Sequence, residues 1–504
     1  MSFARFRDRN EIRISALLFV VCTFFLSFGP GRTQGARVMA HAHALLYEGR
    51  NAIDTGHWNT VDKVYYRGHY FTCAAPGMGY LAVPILAVFD GLYSLIPEKV
   101  TRKANERMRR QLEQQCQSLI AEGYLSFDPA VNRLDLLGFH AAIWFFEVFI
   151  VCFMAAAAVV FYRVLLLFEV QAGLACQAAL LLGLGTILFF YARIPYALVP
   201  TALSLLVAFH LITLVRKQPN SSATVQATRL LAAGLALGIA VALEYIQIIG
   251  AGLLFLYAWN RVGLRRVAWV ALGGLPLGLL IMLYHYNAFD DPFAFPYRYA
   301  IPILAGPPDQ QLLKIDHPTW ERIIAAAIGL RRGFFIYNPV LLVLVLLMAK
   351  DAFVVKRHVP ESVLGLGLLV SYLLFQASSP LAYITWGIGP RYATTMVPFL
   401  MLGVVYLKTP FQFKAFYGPA WLSLLVNLLA VQRDIEPQHH AFPLADAVRA
   451  FLHSGPSSSF LEIALSLAGI SNPLVSWSAG IAAYAVLARI ICFIWRRTTT
   501  RGAT

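Results

Sequence analysis

Charge is the scarcest commodity in this chain. Of 504 residues, 13% are Asp, Glu, Lys or Arg, 59% are hydrophobic, and mean hydropathy is +0.63. A soluble domain carries about a quarter charged residues, so a soluble globular fold is excluded. Cysteine is sparse as well: Cys22, Cys73, Cys116, Cys152, Cys176 and Cys492. Four lie in apolar runs and read as small core hydrophobes. Cys73 and Cys116 share one polar loop, where a disulfide stays open if the loop faces an oxidising compartment. CxxC and HExxH spacings are missing, so no metal site is signalled. Low-complexity tracts and evident internal repeats are missing too, which weighs against a transporter built from matched halves.

What remains is apolar. Many runs approach or exceed the length needed to cross a bilayer, and they are continuous rather than alternating. The expected fold is an all-α polytopic membrane protein with about 11–12 transmembrane helices. The net charge of +15 does not point to nucleic acid, because the basic residues sit in short loops beside apolar segments, where they contact anionic lipid heads. Arg5, Arg7, Arg9 and Arg13 precede a run from about Ile14 to Phe28. That run is expected as the first span, with a cleaved signal peptide as the alternative. Further spans are expected near 139–161, 173–192, 197–215, 267–286, 337–349, 362–377, 394–407, 417–431 and 477–495. A stretch at 229–259 is long enough to be two short helices turning near Tyr245. The arginines place the N-terminus in the cytoplasm, and the charge bias of the short loops then puts residues 30–138 outside as one large first loop. The other arrangement, with 79–96 crossing and 99–133 inside, places Arg216, Lys217 and Arg229 outside. Residues 287–336 and 432–476 are the further external regions of a single membrane domain, 1–504.

The polar chemistry gathers on these external segments. DTGHWNTVDKVYYRGHYFTCAAPG (54–77) is expected to be irregular or extended from Asn59 to Gly77. Asp54 and Asp62 lie there beside His57, His69, Tyr65, Tyr66 and Tyr70. A carboxylate so placed serves as general base or as an ordinary turn cap. Asp290 and Asp291 follow a span, where adjacent carboxylates suit a divalent cation, a sugar hydroxyl or a turn before Pro292. Arg331, Arg332 and Arg391, the last followed by Tyr392, present forks that suit phosphate oxygens; lipid-head anchoring is the plainer reading. Glu147 and Glu244 are intramembrane carboxylates, functional candidates by their cost alone. His439-His440 and His41-x-His43 are weak metal signals.

Four blocks together carry a resemblance. They are IDTGHWNTVDKVYYRGHYFTCAAPG (53–77), YNAFDDP (286–292), RRGFFIYNPVLL (331–342) and WGIGPRYATTMVPFL (386–400). In this order they resemble motifs of the polytopic GT-C glycosyltransferases, in particular bacterial relatives of protein O-mannosyltransferases and lipid A aminoarabinose transferases. The resemblance implies one extracytoplasmic active site under the first loop, in a multi-pass protein of the bacterial inner membrane. It implies a sugar delivered on a polyprenyl phosphate and an envelope lipid, glycan or protein as acceptor. By position Asp54 and Asp62 inherit the acidic role, and Arg332 and Arg391 the phosphate role, with His69, Tyr70, Asp290, Asp291, Arg331 and Tyr392 as further substrate contacts. Two departures stand out: Ala74 replaces the lysine of the family's KAPG, and Cys73 its aspartate. A transporter or lipid flippase, and an inactive GT-C relative, are the alternatives.

Overall fold

In a bilayer an apolar segment satisfies its backbone by coiling on itself, and this chain does so almost throughout. A computed structural model describes residues 9–27, 33–99, 101–103, 105–106, 135–300, 317–378, 388–432, 442–467 and 472–500. The chain opens with α1 (Arg9–Phe24) and α2 (Thr33–His43). A hairpin of β1 (Lys63–Tyr66) and β2 (His69–Thr72) leads into α3 (Gly77–Tyr93). Then come α4 (Leu136–Leu167), α5 (Ala172–Leu184), α6 (Leu198–Lys217), α7 (Ala223–Leu243), α8 (Ile248–Val262) and α9 (Leu264–Phe289). The second half holds α10 (Trp320–Ile328), α11 (Pro339–Lys350), α12 (Val359–Ser378), α13 (Pro410–Val431), α14 (Pro443–Ser454), α15 (Ser459–Leu467) and α16 (Pro473–Thr500). Cys116, the pair His439-His440 and most of the 98–133 segment lie outside the described residues.

Among the described residues, seven helices are long and apolar enough to cross a membrane: α4, α6, α7, α9, α12, α13 and α16. The other spans expected from the sequence fall on the shorter α1, α5, α8 and α11 and on residues 391–406. The 229–259 stretch is two helices, with a break at Glu244 and a 3-10 turn over Tyr245–Gln247. The stretch expected as a span at 394–407 is not one regular helix. It runs as a 3-10 turn (Arg391–Met396), a short α turn (Val397–Met401) and another 3-10 turn (Leu402–Tyr406). Pro398 and the β-branched Thr394, Thr395 and Val397 disfavour a continuous helix. Thr394 to Val405 is buried in protein throughout, the setting in which irregular backbone is tolerated at membrane depth.

The core follows from close packing of small residues. A side chain at Gly234 of α7 would strike the carbonyl of Val270 on α9, and one at Gly273 would strike that of Leu231. Without Cβ atoms the two backbones meet directly, as in membrane helix pairs. Near the end of the bundle reached by Arg216, α6, α8 and α12 are tied by charge. Glu361, 2% exposed, accepts from Arg216 Nη1 and from the Tyr257 hydroxyl, each at 2.8 Å, with Arg261 Nη2 at 3.5 Å.

Removing one partner from a buried ion cluster costs about 3–5 kcal/mol, whereas exposed pairs contribute about 1 kcal/mol or less. Glu361→Gln is therefore expected to lower the thermal transition in detergent clearly. Asp446→Asn, which breaks the exposed Arg449 pair, is expected to leave it nearly unchanged. Equal transitions for the two variants would contradict this account.

Candidate functional site

The first loop is an ordered lid, extended as a β-hairpin over Lys63–Tyr66 and His69–Thr72, in line with the extended reading of Asn59 to Gly77. Arg67 and Gly68 both have positive φ, 46° and 89°. That is the two-residue turn whose twist suits a tight hairpin, and the register pairs Val64 with Phe71 and Tyr65 with Tyr70. Val64 and Phe71 turn inward and pack with Tyr284 and Phe289 at the end of α9. Tyr66 and Phe71 make ring contacts with Phe289, which stacks on Tyr299. Thr72 Oγ1 lies 3.3 Å from the Tyr284 hydroxyl, and Arg67 forms an ion pair with Asp290. The hairpin is thus anchored to the segment that leaves α9, and Val64 bridges Ala300 there.

Each acidic candidate now has a place. Asp54 is the knot of the loop. Its Oδ2 accepts from Arg50 Nη1 at 2.8 Å and lies 2.8 Å from His69 Nδ1, while Oδ1 accepts from the Tyr70 N–H at 2.8 Å. Tyr70 stacks on His57 with centroids 3.9 Å apart. Asp290 engages Arg67, and Asp291 Oδ1 caps the turn by accepting from the Phe293 N–H at 2.9 Å. Among the described residues no group of three or more His, Cys, Asp or Glu side chains is arranged to hold a metal ion. Asp62 faces the other way. Its Oδ2 is buried without a hydrogen-bond partner among the described residues, and its charge acts on Arg37 and Cys73.

Arg37 is the residue that sequence reasoning passed over. It sits on α2, 8% exposed, and hydrogen-bonds Cys73. Burial opposes its charge, but Cys73, Asp62, Tyr297 and Glu244 outweigh that and hold the guanidinium above its ordinary range. The Cys73 thiol is pushed up to about 12 by burial. The signal in the sequence was faint: one arginine within ARVMAHAH. The departure at Cys73 marked the same spot, because position 73 is where this arginine finds its partner.

Glu244 follows. It is half-buried, in extended backbone with φ −154° and ψ 112°, at the point where α7 stops. Burial disfavours its charge, and Arg391 and Arg37 favour it. Beyond it stands Arg391, presented by Gly389 with φ +64°, in the left-handed region that favours glycine. Arg391 donates from Nη2 to the Tyr392 hydroxyl at 2.7 Å and lies over the rings of Tyr392 and Tyr196. Its Nε is buried without a hydrogen-bond partner among the described residues. Arg332 is 7% exposed. Burial and then the adjacent Arg331 push it down to about 10, with Arg391 adding to the effect. Asp62, Arg37, Glu244 and Arg391 thus form a run of alternating charge, with a crowded cationic end at Arg331, Arg332 and Arg391. Glu147, by contrast, is buried within α4.

Beside this centre lies an apolar cavity of about 690 Å³ between α3, α4, α6, α7 and α9. Pro76, Gly77, Ala242 and Leu243 border it, and Asn51, Tyr80 and Asn287 give it a polar rim. A side chain at Gly77 would strike the carbonyl of Ala242, so the Pro-Gly turn of the first loop rests directly on the end of α7.

The fold has a structural counterpart. The crystal structure of ArnT from Cupriavidus metallidurans bound to undecaprenyl phosphate aligns with 97% of this chain and 77% of its own, at 14% identity and a TM-score of 0.50. The likeness is one of fold: an all-α polytopic membrane protein of the GT-C type. No protein-family model matches the chain, and no curated protein matches it.

The lid also carries a titratable buried group. Lys63, 3% exposed, donates to the His57 carbonyl at 2.8 Å and lies 3.1 Å from His57 Nδ1. Burial pushes Lys63 down to about 8 from 10.5. Between those values the unfolded loop binds the extra proton, so folded-loop stability rises with pH from about 8 to about 10.5. Limited proteolysis within residues 54–76 should accordingly slow between pH 8 and 9.5 in the parent, and Lys63→Met should flatten that dependence. An identical pH dependence in both would assign the titration elsewhere.

Proposed function

We propose that this protein is a membrane glycosyltransferase that takes its sugar from a polyprenyl-phosphate carrier, on the extracytoplasmic side, and passes it to an envelope lipid, glycan or protein. The observation that carries the reading is the convergence of Arg332 and Arg391, each buried, at the cationic end of the charged run. Buried like charges repel, and an anion between them relieves the cost. Forked guanidinium groups match phosphate oxygens, and in a site shielded from water they stabilise a departing phosphate strongly. The apolar cavity beside the centre is of a kind that takes a lipid chain within the membrane. The fold likeness to ArnT, crystallised with undecaprenyl phosphate, supports the same substrate class.

In this reading the reaction is displacement at the anomeric carbon by an acceptor hydroxyl, with polyprenyl phosphate leaving onto Arg332 and Arg391. The hairpin covers the site. Asp54, His69 and Tyr70 set its shape, Asp290 holds its turn through Arg67, and Asp291 caps the turn that follows α9. Asp62 is the first-loop carboxylate that faces the centre, and Tyr392 orients Arg391. Ala74, buried at 8% exposed, brings no charge to the centre, so the phosphate relies on the arginines of the later loops.

The test is incubation of the purified protein with a panel of labelled polyprenyl-phosphate sugars and envelope acceptors, scored for release of free carrier. Release with at least one sugar is expected. Arg391→Lys keeps the charge but loses the fork, and is expected to reduce release by about tenfold or more; Arg391→Ala should reduce it further. Parental release from both variants would make Arg391 a lipid-head anchor, and no release with any donor would overturn the reading.

A further inference from the structure

One feature of the centre is not absorbed by the phosphate site. The helix α7 ends at a residue that does not break helices. The sequence around it, GIAVALEYIQII, has no proline, and its nearest glycines are Gly238 and Gly250. Helix interruptions of this kind have causes, and one without Pro or Gly at the break points to a built feature. Here the break sets Glu244 in extended backbone between the last helical residue, Leu243, and the 3-10 turn of Tyr245–Gln247. The turn leaves Glu244 out of the helical ladder on one side only, since its N–H still bonds the Ala240 carbonyl at 3.1 Å. An ionisable side chain set into an apolar bundle is costly and marks a functional candidate.

Glu244 differs from the other carboxylates in its surroundings. Asp54 has three donors on its two oxygens, which ties its lone pairs to the loop. Asp62 has one oxygen shut away from solvent. Glu244 is half-buried and has no hydrogen bond or ion pair from its carboxylate among the described residues, although Arg37 and Arg391 both act on it. The groups within electrostatic reach of it are those arginines together with Tyr245, Tyr297, Tyr372 and Tyr392. Three residues on, Gln247 is fully buried. Its Oε1 accepts from Tyr372 and from Thr395, while Nε2 has no partner among the described residues.

We propose that Glu244 is the general base for the acceptor hydroxyl, an inference that rests on the glycosyltransferase reading above. As the acceptor oxygen bonds to the anomeric carbon, its proton passes to the Glu244 carboxylate. The anomeric C–O bond breaks, and its electron pair leaves with the polyprenyl phosphate toward Arg332 and Arg391. Glu244 is left protonated and returns its proton to solvent after the product departs. The acceptor is therefore an alcohol, a sugar or lipid hydroxyl, and not a phosphate or an amine that is already charged. Arg37 acts on the carboxylate through its charge from the loop side, and the contact of Gly77 with Ala242 fixes the loop against the helix end that carries it.

The experiment compares the full-length parent with Glu244→Gln and Glu244→Asp in detergent. It measures steady-state transfer, retention of polyprenyl phosphate, and elution on size exclusion. Loss of a general base costs about a hundredfold to ten-thousandfold in rate. The expected result is a kcat loss of that size for Glu244→Gln, with carrier retention within about threefold of the parent, and partial recovery in Glu244→Asp. The parent pH profile should show an acidic limb that Glu244→Gln lacks. Parental kcat in Glu244→Gln overturns the inference. Carrier retention or monodispersity lost together with transfer in both variants also overturns it, because Glu244 then serves only as counter-ion to Arg37 and Arg391. If the parent itself releases carrier from no donor, the glycosyltransferase reading fails first, and that outcome is visible before any variant is made.

Discussion

Two buried arginines on different parts of the chain constrain everything around them. Arg37 and Arg391 are both under 10% exposed, and a buried guanidinium is tolerated only with compensating charge and hydrogen bonds. The fold meets that demand by bringing Asp62 from the hairpin and Glu244 from a helix break to the same place. Neither carboxylate reaches the centre by itself. The hairpin must dock on the end of α9, and the Pro-Gly turn must rest on α7. The packing of Val64, Phe71 and Phe289 and the contact of Gly77 with Ala242 are therefore conditions for the charge arrangement as much as for the fold.

The same constraint explains the irregular backbone. Helices in lipid stay regular because nothing else satisfies their amides. The two interruptions nearest the centre, at Glu244 and over Arg391–Tyr406, occur where neighbouring side chains are enclosed by protein. Gln247 links them: its side chain takes hydrogen bonds from Thr395 on one irregular segment and Tyr372 on α12. At the other end of α6 and α8 the chain keeps regular helices and relies on the Glu361 cluster. Electrostatics thus fastens the bundle at both ends, with a closed ion cluster at one and an open run of charge at the other.

Much of this was legible before the structure. Long apolar runs marked the spans because the bilayer requires them. The excess length of 229–259 marked a pair of helices, and the break falls beside Tyr245. Arg332 and Arg391 stood out as forks on polar segments, and the structure brings them within electrostatic reach of each other. The hairpin was harder, since Arg67-Gly68 is a weak turn signal beside Asn-Gly. Spacing did not say that the Asp54 carboxylate is already engaged by Arg50, His69 and Tyr70. Arg37 escaped attention because an arginine after a first span is ordinary, and its meaning appears only when Cys73, 36 positions later, folds back on it.

The central claim is that the cationic end of this run is a site for a polyprenyl phosphate. Native mass spectrometry of the protein in detergent, titrated with polyprenyl phosphate and with an ordinary anionic phospholipid, tests it most directly. The account predicts one tightly retained polyprenyl phosphate per chain, preferred over the phospholipid, and its loss from a folded Arg332→Ala, Arg391→Ala double variant. Equal retention of both lipids by the parent, or undiminished retention of polyprenyl phosphate by the double variant, would contradict it.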